Sequence, residues 1–266
     1  MNILETIVAH KREEVAASKG RVKTSALSSM EFFSRKTISL VEGLRKPRPF
    51  AVIAEVKRAS PTAGMIRKDA DSSLLAREYE SNGAAAISVL TDERFFSGVL
   101  DDLRRARQAA ALPILRKDFI FDEYQLFEAK AYGADAILLI AAVLDKTRLS
   151  DLFAAARELQ LECLVELYGE KELDLLDLDR MKLVGVNNRD LRTFDVDVTR
   201  SITVARLLPR DVTVVSESGI HGAGDLRKLR SAGIKAALIG EHLMGASNPG
   251  HALRALLDDL DDKAKS

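Results

Sequence analysis

Residues able to move protons or hold charge recur at one kind of place in this chain, the end of a short apolar run. Ala51-Val52-Ile53-Ala54 stops at Glu55-Val56-Lys57, Pro113-Ile114-Leu115 at Arg116-Lys117-Asp118-Phe119, and Leu161 to Val165 at Glu166. Leu183-Val184-Gly185-Val186 stops at Asn187-Asn188-Arg189, and Val212 to Val215 at Ser216-Glu217-Ser218-Gly219. An apolar strand carries charge at a cost, because a buried ion loses its hydration. Strand side chains alternate faces, so Glu55 and Lys57 share a face with Ile53, Lys117 with Leu115, and Glu166 with Leu164. By the same rule Asn187 and Arg189 align with Gly185, and Glu217 with Val215. At one position an ordinary surface charge just past a strand end is the simpler account. Across five strands, convergence on one polar pocket is the better one. Lysines and glutamates gathered there suit general acid–base chemistry, with Lys117 and Glu166 the strongest candidates. Burial lowers a lysine pKa and raises a glutamate pKa, while opposite charges nearby pull both back.

The elements that must position these groups alternate regularly. Strands are predicted at 51–57, 84–90, 112–117, 135–141, 161–166, 182–187, 212–216 and 236–240, with helical segments between them. Asp71-Ser72-Ser73, Asp101-Asp102, Asp122-Glu123 and Asp145-Lys146-Thr147 supply capping residues. Asn82-Gly83, Tyr132-Gly133 and Ala232-Gly233 supply helix stops. Eight strands alternating with helices predict an α/β protein, a (β/α)8 TIM barrel whose site lies at the carboxyl ends of its strands. A doubly wound sheet would want a glycine loop after the first strand, where Lys57-Arg58-Ala59-Ser60-Pro61-Thr62 stands, and Gly222-Ala223-Gly224 is weak evidence of a nucleotide site. Before Phe50 the spacing of Ile3, Leu4, Ile7, Val8 and Val15 predicts an amphipathic helix over 3–19. Further helical pieces are predicted at 29–34 and 40–44. The chain thus divides into an N-terminal helical extension, 1–49, packing on the barrel, and a catalytic barrel, 50–266.

Composition narrows the function. Apolar residues make up 47% of the 266, enough for a substantial core. Forty basic residues balance forty acidic ones, so no global field invites nucleic acid or an anionic membrane. Cys163 is the sole cysteine and lies within an apolar run, where it reads as a packed core thiol. His10, His221, His242 and His251 are scattered, which gives no metal cluster. The longest apolar stretch, Ala136 to Leu144, is too short to span a bilayer, and the charged N-terminus lacks a signal-peptide core. A cytoplasmic setting follows.

The last two strands carry a second signal. Ser218-Gly219 follows the seventh strand, and Gly240-Glu241 follows the eighth and opens a short helical segment. In barrels of this class such loops hold a phosphate through backbone N–H groups. Taken alone, these glycines make tight turns. The Glu241 charge does not suit phosphate, so its backbone is the part expected to matter. Ser60 offers a hydroxyl from the loop after the first strand, and Ser60–Gly64 is a candidate lid. Phe119 supplies an apolar wall, and the planar Arg189 guanidinium a partner for a carboxylate.

These runs resemble indole-3-glycerol phosphate synthases. The resemblance lies in Ala54-Glu55-Val56-Lys57-Arg58-Ala59-Ser60-Pro61, Leu115-Arg116-Lys117-Asp118-Phe119-Ile120 and Val165-Glu166-Leu167. It continues through Gly185-Val186-Asn187-Asn188-Arg189-Asp190-Leu191 and Ser216-Glu217-Ser218-Gly219-Ile220, and includes the N-terminal Ile3 to Lys11 helix. It covers essentially the whole chain in matching order. It implies a carbon–carbon lyase of tryptophan biosynthesis that turns 1-(2-carboxyphenylamino)-1-deoxyribulose 5-phosphate into indole-3-glycerol phosphate, carbon dioxide and water. By that resemblance Lys117 is the general acid and Glu166 the proton-transfer partner in the dehydration. Glu55, Lys57 and Asn187 steer the substrate and Glu217 supports the lysines. Ser60, Ser218, Gly219, Gly240 and Glu241 hold the phosphate, and Phe119, Arg189 and Leu238 line the anthranilate side. No cofactor or metal is implied, the expected partner is the phosphorylated small molecule, and nothing in the sequence requires more than a monomer. Two positions depart from the pattern: Thr62 where serine is frequent, and Gly245 where a basic residue is.

Other readings stay open at this level. Lys117 or Lys57 as a Schiff-base nucleophile would make an aldolase. A barrel that only binds a phosphorylated metabolite needs the phosphate grip but not Lys117 with Glu166. Phosphoribosylanthranilate isomerase shares the fold class, but Cys163 lies in mid-strand and the extension is unneeded. A metal-dependent epimerase requires inward histidines.

Overall fold

The computed structural model describes residues 3–190 and 195–262. Leu191 of the motif after the sixth barrel strand lies outside them, as do residues 1–2 and 263–266 of the assigned spans. The chain begins with α1 (Ile3–Arg21), α2 (Thr24–Ser28) and α3 (Leu40–Arg45), then enters β1 (Ala51–Val56) and a small hairpin, β2 (Ala59–Ser60) with β3 (Gly64–Met65). There follow α4 (Ser72–Ser81), β4 (Ala86–Leu90), α5 (Glu93–Phe96), α6 (Leu100–Ala109), β5 (Ile114–Lys117), α7 (Glu123–Ala131) and β6 (Ala136–Ile140). The second half holds α8 (Lys146–Glu158), β7 (Glu162–Leu167), β8 (Leu183–Asn187), α9 (Thr199–Ala205), β9 (Thr213–Glu217) and α10 (Ala223–Ser231). It ends in β10 (Ala236–Ile239), α11 (Glu241–Gly245) and α12 (Pro249–Asp262).

β1 and β4 to β10 pair in parallel and close into an eight-stranded barrel, the predicted (β/α)8 architecture. Most strands begin one or two residues later than the apolar runs suggest. The alternation of side chains sorts the core into two bodies. Val52, Ala54, Ile87, Ile137, Leu139, Val165 and Val184 face outward and pack beneath the helices. Ile53, Leu115, Leu138, Leu164, Val215 and Leu238 face inward and fill the barrel. Cys163 is buried in the outer body, as a core thiol. The inward layer is apolar low in the barrel and turns polar at the strand ends, so the core itself forms the floor of a cavity.

Several local signals read true. Asp71, Asp122 and Asp145 cap α4, α7 and α8 with their side chains, and Gly83, Gly133 and Gly233 end α4, α7 and α10 at positive φ. At α6 the cap is instead Val99. Asp102, expected there, lies in the first turn, accepts the Val99 N–H at 3.1 Å and pairs with Arg58. The helical piece expected at 29–34 is a series of turns, and the short helix lies earlier, at α2. Phe33 stacks on Phe127 of α7 with ring centroids 5.8 Å apart, a tertiary contact that overrides the local helical pattern.

The extension reaches both ends of the barrel. α3 seals the base, with Leu40 and Leu44 packed into the inward body. Glu162 at the start of β7 accepts from the Ser39 hydroxyl at 2.6 Å and the Val41 N–H at 2.9 Å. Buried Asp135 accepts from the Ile38 N–H at 2.8 Å and pairs with Arg107 at 2.9 Å. α1 lies at the opposite end, where Ile7 joins the same inward body.

Candidate active site

The carboxyl ends of the strands open into a cavity of about 1140 Å³ including its mouth, on the scale of sites for small organic ligands. All six expected proton-handling or charged residues line it: Glu55, Lys57, Lys117, Glu166, Asn187 and Glu217. So do Ser60, Phe119, Arg189, Ser218, Gly219, Leu238, Gly240 and Glu241. Register explains the convergence. Leu90 pairs with Lys117, Ile140 with Glu166, and Asn187 with Glu217, which puts the polar groups at one level of the barrel.

Lys117 stands at the centre. Its Nζ lies 3.4 Å from Glu166 Oε2 and 3.6 Å from Glu217 Oε2, and both carboxylates are only 1% exposed. Asn187 donates from Nδ2 to Glu166 Oε1 at 3.4 Å. Across the barrel Lys57 pairs with Glu55 at 3.0 Å. Burial opposes the charge on Lys117, but Glu166, Glu217 and Glu55 outweigh it and hold the lysine above its ordinary value. The lowering that burial alone predicts is therefore reversed. Burial, then the neighbouring Glu166 charge, push Glu217 well above the usual carboxylate range. The Lys117 ammonium opposes that rise, so burial and charge compete at Glu217 as they do at the lysine.

The backbone makes room for these carboxylates. A Cβ on Gly185 would overlap Glu217 Oε1, and one on Gly240 would overlap Glu55 Oε1. After β9, Ser218 and Gly219 both adopt positive φ, 67° and 73°. A non-glycine residue there is uncommon, and such conformations concentrate at functional sites. Ser218 and Gly219 line the cavity together with Gly240 and Glu241 at the end of β10. Ser60 lies in the β2–β3 hairpin, its hydroxyl accepting the Ala63 N–H at 3.1 Å and lying 3.3 Å from the Thr62 hydroxyl. Arg189 pairs with Glu241 at 3.5 Å across the mouth. Where Gly245 lacks a basic side chain, Arg67 arrives from the connection after β3 and donates to the Met244 carbonyl at 3.0 Å.

The sequence profile of the indole-3-glycerol phosphate synthase family matches residues 4–256. The indole-3-glycerol phosphate synthase of Salinibacter ruber is 47% identical over 258 residues, covering 96% of this chain and 95% of its own. That of Rhodopirellula baltica is 45% identical, covering 97% and 99%. The chain belongs to the indole-3-glycerol phosphate synthase family. Members of this family are carboxy-lyases of tryptophan biosynthesis, and the chain is one of them. The barrel also superposes on an orotidine 5′-phosphate decarboxylase from Pyrococcus horikoshii, with a TM-score of 0.59, 14% identity, and coverage of 79% of this chain and 99% of that one. A thiamine phosphate pyrophosphorylase from Pyrococcus furiosus gives 0.57 at 15%, covering 81% and 97%. At such identities the likeness concerns the fold alone. The aldolase reading gives way to this family membership.

The synthase cavity also has walls that strand-end reasoning misses. Ile3 and Ile7 of α1, Phe96 of α5, and Leu90 and Ile140 of the strands line it. Tyr168 lines it too, two residues beyond Glu166 and therefore on the same face. That spacing was the available signal. Burial and the Glu166 carboxylate push the Tyr168 phenol well above its usual value, so it remains a hydrogen-bond donor. The α1 and α5 residues come from distant parts of the chain, and nothing in their own spacing marks them. Among the described residues no helix is long and apolar enough to cross a membrane.

Proposed function

We propose that this barrel binds 1-(2-carboxyphenylamino)-1-deoxyribulose 5-phosphate across its mouth and closes the indole ring with Lys117 as general acid. The observation that supports this best is Lys117 held charged between Glu166 and Glu217 at the strand ends. The carboxylate-bearing ring carbon attacks the ketone carbon, and Lys117 gives its proton to the ketone oxygen as the bond forms. Carbon dioxide then leaves, and its bonding pair restores the benzene ring. The new hydroxyl departs as water while a proton leaves the carbon beside the nitrogen, which forms the double bond that makes the five-membered ring aromatic. Glu166 is the proton-transfer partner in this dehydration. Glu55, Lys57 and Asn187 steer the substrate, and Glu217 holds the lysine in place. These steps need positioning and proton transfer, which a cavity walled by strand ends supplies.

The phosphate is assigned to Ser60, Ser218 and Gly219, with the Gly240 and Glu241 backbone. The aromatic ring is assigned to the apolar lining of Phe119, Leu238, Phe96, Ile3 and Ile7, with Arg189 toward the ring carboxylate. The catalytic unit is the barrel of 50–266 together with the 1–49 extension, because α1 contributes two of those wall residues. This unit is proposed to work as a monomer in the cytoplasm. Light scattering on the purified protein tests the monomer.

Mixing chelator-treated protein with the substrate and following indole fluorescence tests the activity. A rise establishes it without added metal. No rise with the substrate bound leaves a metabolite-binding barrel, and a lysine adduct trapped by borohydride would restore the aldolase.

A further inference from the structure

Lys11, midway along α1, is fully buried. Its ammonium meets Glu14 at 2.9 Å, Asp92 at 3.0 Å and Asp118 at 3.0 Å. Glu14 lies one turn further on α1. The other two carboxylates belong to the barrel. Asp92 follows β4 and caps α5, accepting the Phe95 N–H at 2.8 Å. Asp118 follows Lys117 and accepts from the Thr91 hydroxyl at 2.6 Å, from Arg116 at 3.0 Å and from the Phe119 N–H at 2.8 Å. Burial opposes the charge on Lys11, but Asp118, Asp92 and Glu14 overcome it and hold the ammonium above its ordinary value.

Every element tied to this ammonium also lines the cavity. α1 contributes Ile3 and Ile7, α5 contributes Phe96, and the turn after β5 contributes Phe119. The Phe96 and Phe119 rings pack with centroids 6.1 Å apart. Lys117, one residue from Asp118, has its own anchors in Glu166 and Glu217. A change at Lys11 therefore acts on the apolar wall before it acts on the general acid.

We infer that Lys11 is a positioning residue for substrate binding: by holding Asp92 and Asp118 at once, it sets the spacing of the wall that α1, α5 and Phe119 present to the aromatic ring. The inference rests on the ring placement proposed above. It concerns a lysine that touches no reacting atom and whose sequence setting is that of an ordinary helix-surface charge.

Lys11→Met keeps the length and apolar bulk of the stem and removes the charge. In variant protein shown to be folded by circular dichroism, KM for the substrate should rise about tenfold or more while kcat stays within about threefold, the pattern of a lost binding contact. Competitive inhibition by N-methylanthranilate should weaken in step, and inhibition by inorganic phosphate should not. A merely structural role would lower the folded fraction and leave both inhibition constants unchanged. Lys11→Arg keeps the charge in a shape less suited to a compact site and should recover part of the affinity. If Lys11→Met does not fold, Asp92→Asn carries the test, because asparagine caps a helix as aspartate does while releasing one of the two barrel contacts. The same selective loss, about threefold, is then expected. A folded variant with unchanged KM, or with both inhibitors weakened equally, overturns the inference. A wild-type enzyme that turns over substrate but ignores N-methylanthranilate overturns the ring placement, and this inference with it. A wild type that is inhibited, beside variants that behave like it, overturns the role of Lys11 alone.

Discussion

The Glu217 carboxylate fills the space that a side chain on Gly185 would need, so a Cβ at Gly185 overlaps Glu217 Oε1. Gly185 and Glu217 lie on neighbouring strands, β8 and β9, and Glu217 is one of the two carboxylates beside Lys117. Gly185→Ala should therefore push Glu217 off its position. Forcing one methyl into a packed site costs about 1–3 kcal/mol. The catalytic loss should be larger than that change suggests, with kcat down roughly 10- to 100-fold, because small displacements of reacting groups are amplified in rate. Thermal unfolding and steady-state kinetics on the same preparation check this. Full turnover in Gly185→Ala would mean that the position of Glu217 is not critical.

Lys117 and Glu166 are assigned the proton transfers. Lys117→Ala and Glu166→Gln should each lower kcat by roughly 10²–10⁴, the usual span for an acid–base group, while the substrate still binds. Single-turnover measurements separate the two effects. If binding falls as much as turnover, the residue is structural. If Lys117→Ala keeps full activity, the catalytic assignment fails.

The pH dependence of kcat should reflect how Lys117 is held. Burial favours the neutral amine, but Glu166, Glu217 and Glu55 favour the ammonium and win. A general acid whose pKa is raised keeps its proton as pH rises through neutrality and loses it only above the ordinary lysine value. Wild-type kcat should therefore show no fall on the alkaline side up to about pH 9.5. In Glu166→Gln, burial remains and one opposing charge is gone, so the limb of the residual activity should move down. A wild-type limb centred near about pH 8 would show that burial outweighs the carboxylates.

The strand ends were legible because charge after an apolar run is conspicuous, and a period of two then assigns a face. Glu55, Lys117, Glu166, Asn187 and Glu217 could be placed on one mouth by those rules alone. Tyr168 obeyed the same period and was lost only because the predicted strand stopped at Glu166. The ring wall was not legible. Ile7 looks like any apolar helix position, and Phe96 sits in a one-turn helix within a connection, with no repeat to mark it. Lys11 reads as a solvated charge, since its partners Asp92 and Asp118 lie far along the chain and only the closed barrel brings them beside α1. Charge balance also escaped a reading of spacing. Burial and Coulomb attraction act on Lys117 in opposite directions, and only the positions of three carboxylates decide between them.

Acid stability should report the network at the end of β5. Burial would raise the Asp118 pKa, but Lys11 and Arg116 outweigh it and hold the carboxyl down to about 2. A carboxyl whose folded-state pKa is depressed adds stability above its unfolded value, and that stability drains away as pH falls toward the folded value. From an unfolded value of about 3.8 to about 2, the linkage amounts to roughly 2 kcal/mol, present in full above about pH 5 and lost on the way to pH 2. Urea midpoints of the wild type should therefore fall steeply below pH 5. Asp118→Asn should be less stable than the wild type at pH 7, because it leaves Lys11 and Arg116 short of a charge, and the gap between the two proteins should narrow as pH drops. A gap that stays constant from pH 7 to pH 3 would show that Asp118 is not ionised within its network, and that neither Lys11 nor Arg116 draws its hold on the strand end from that charge.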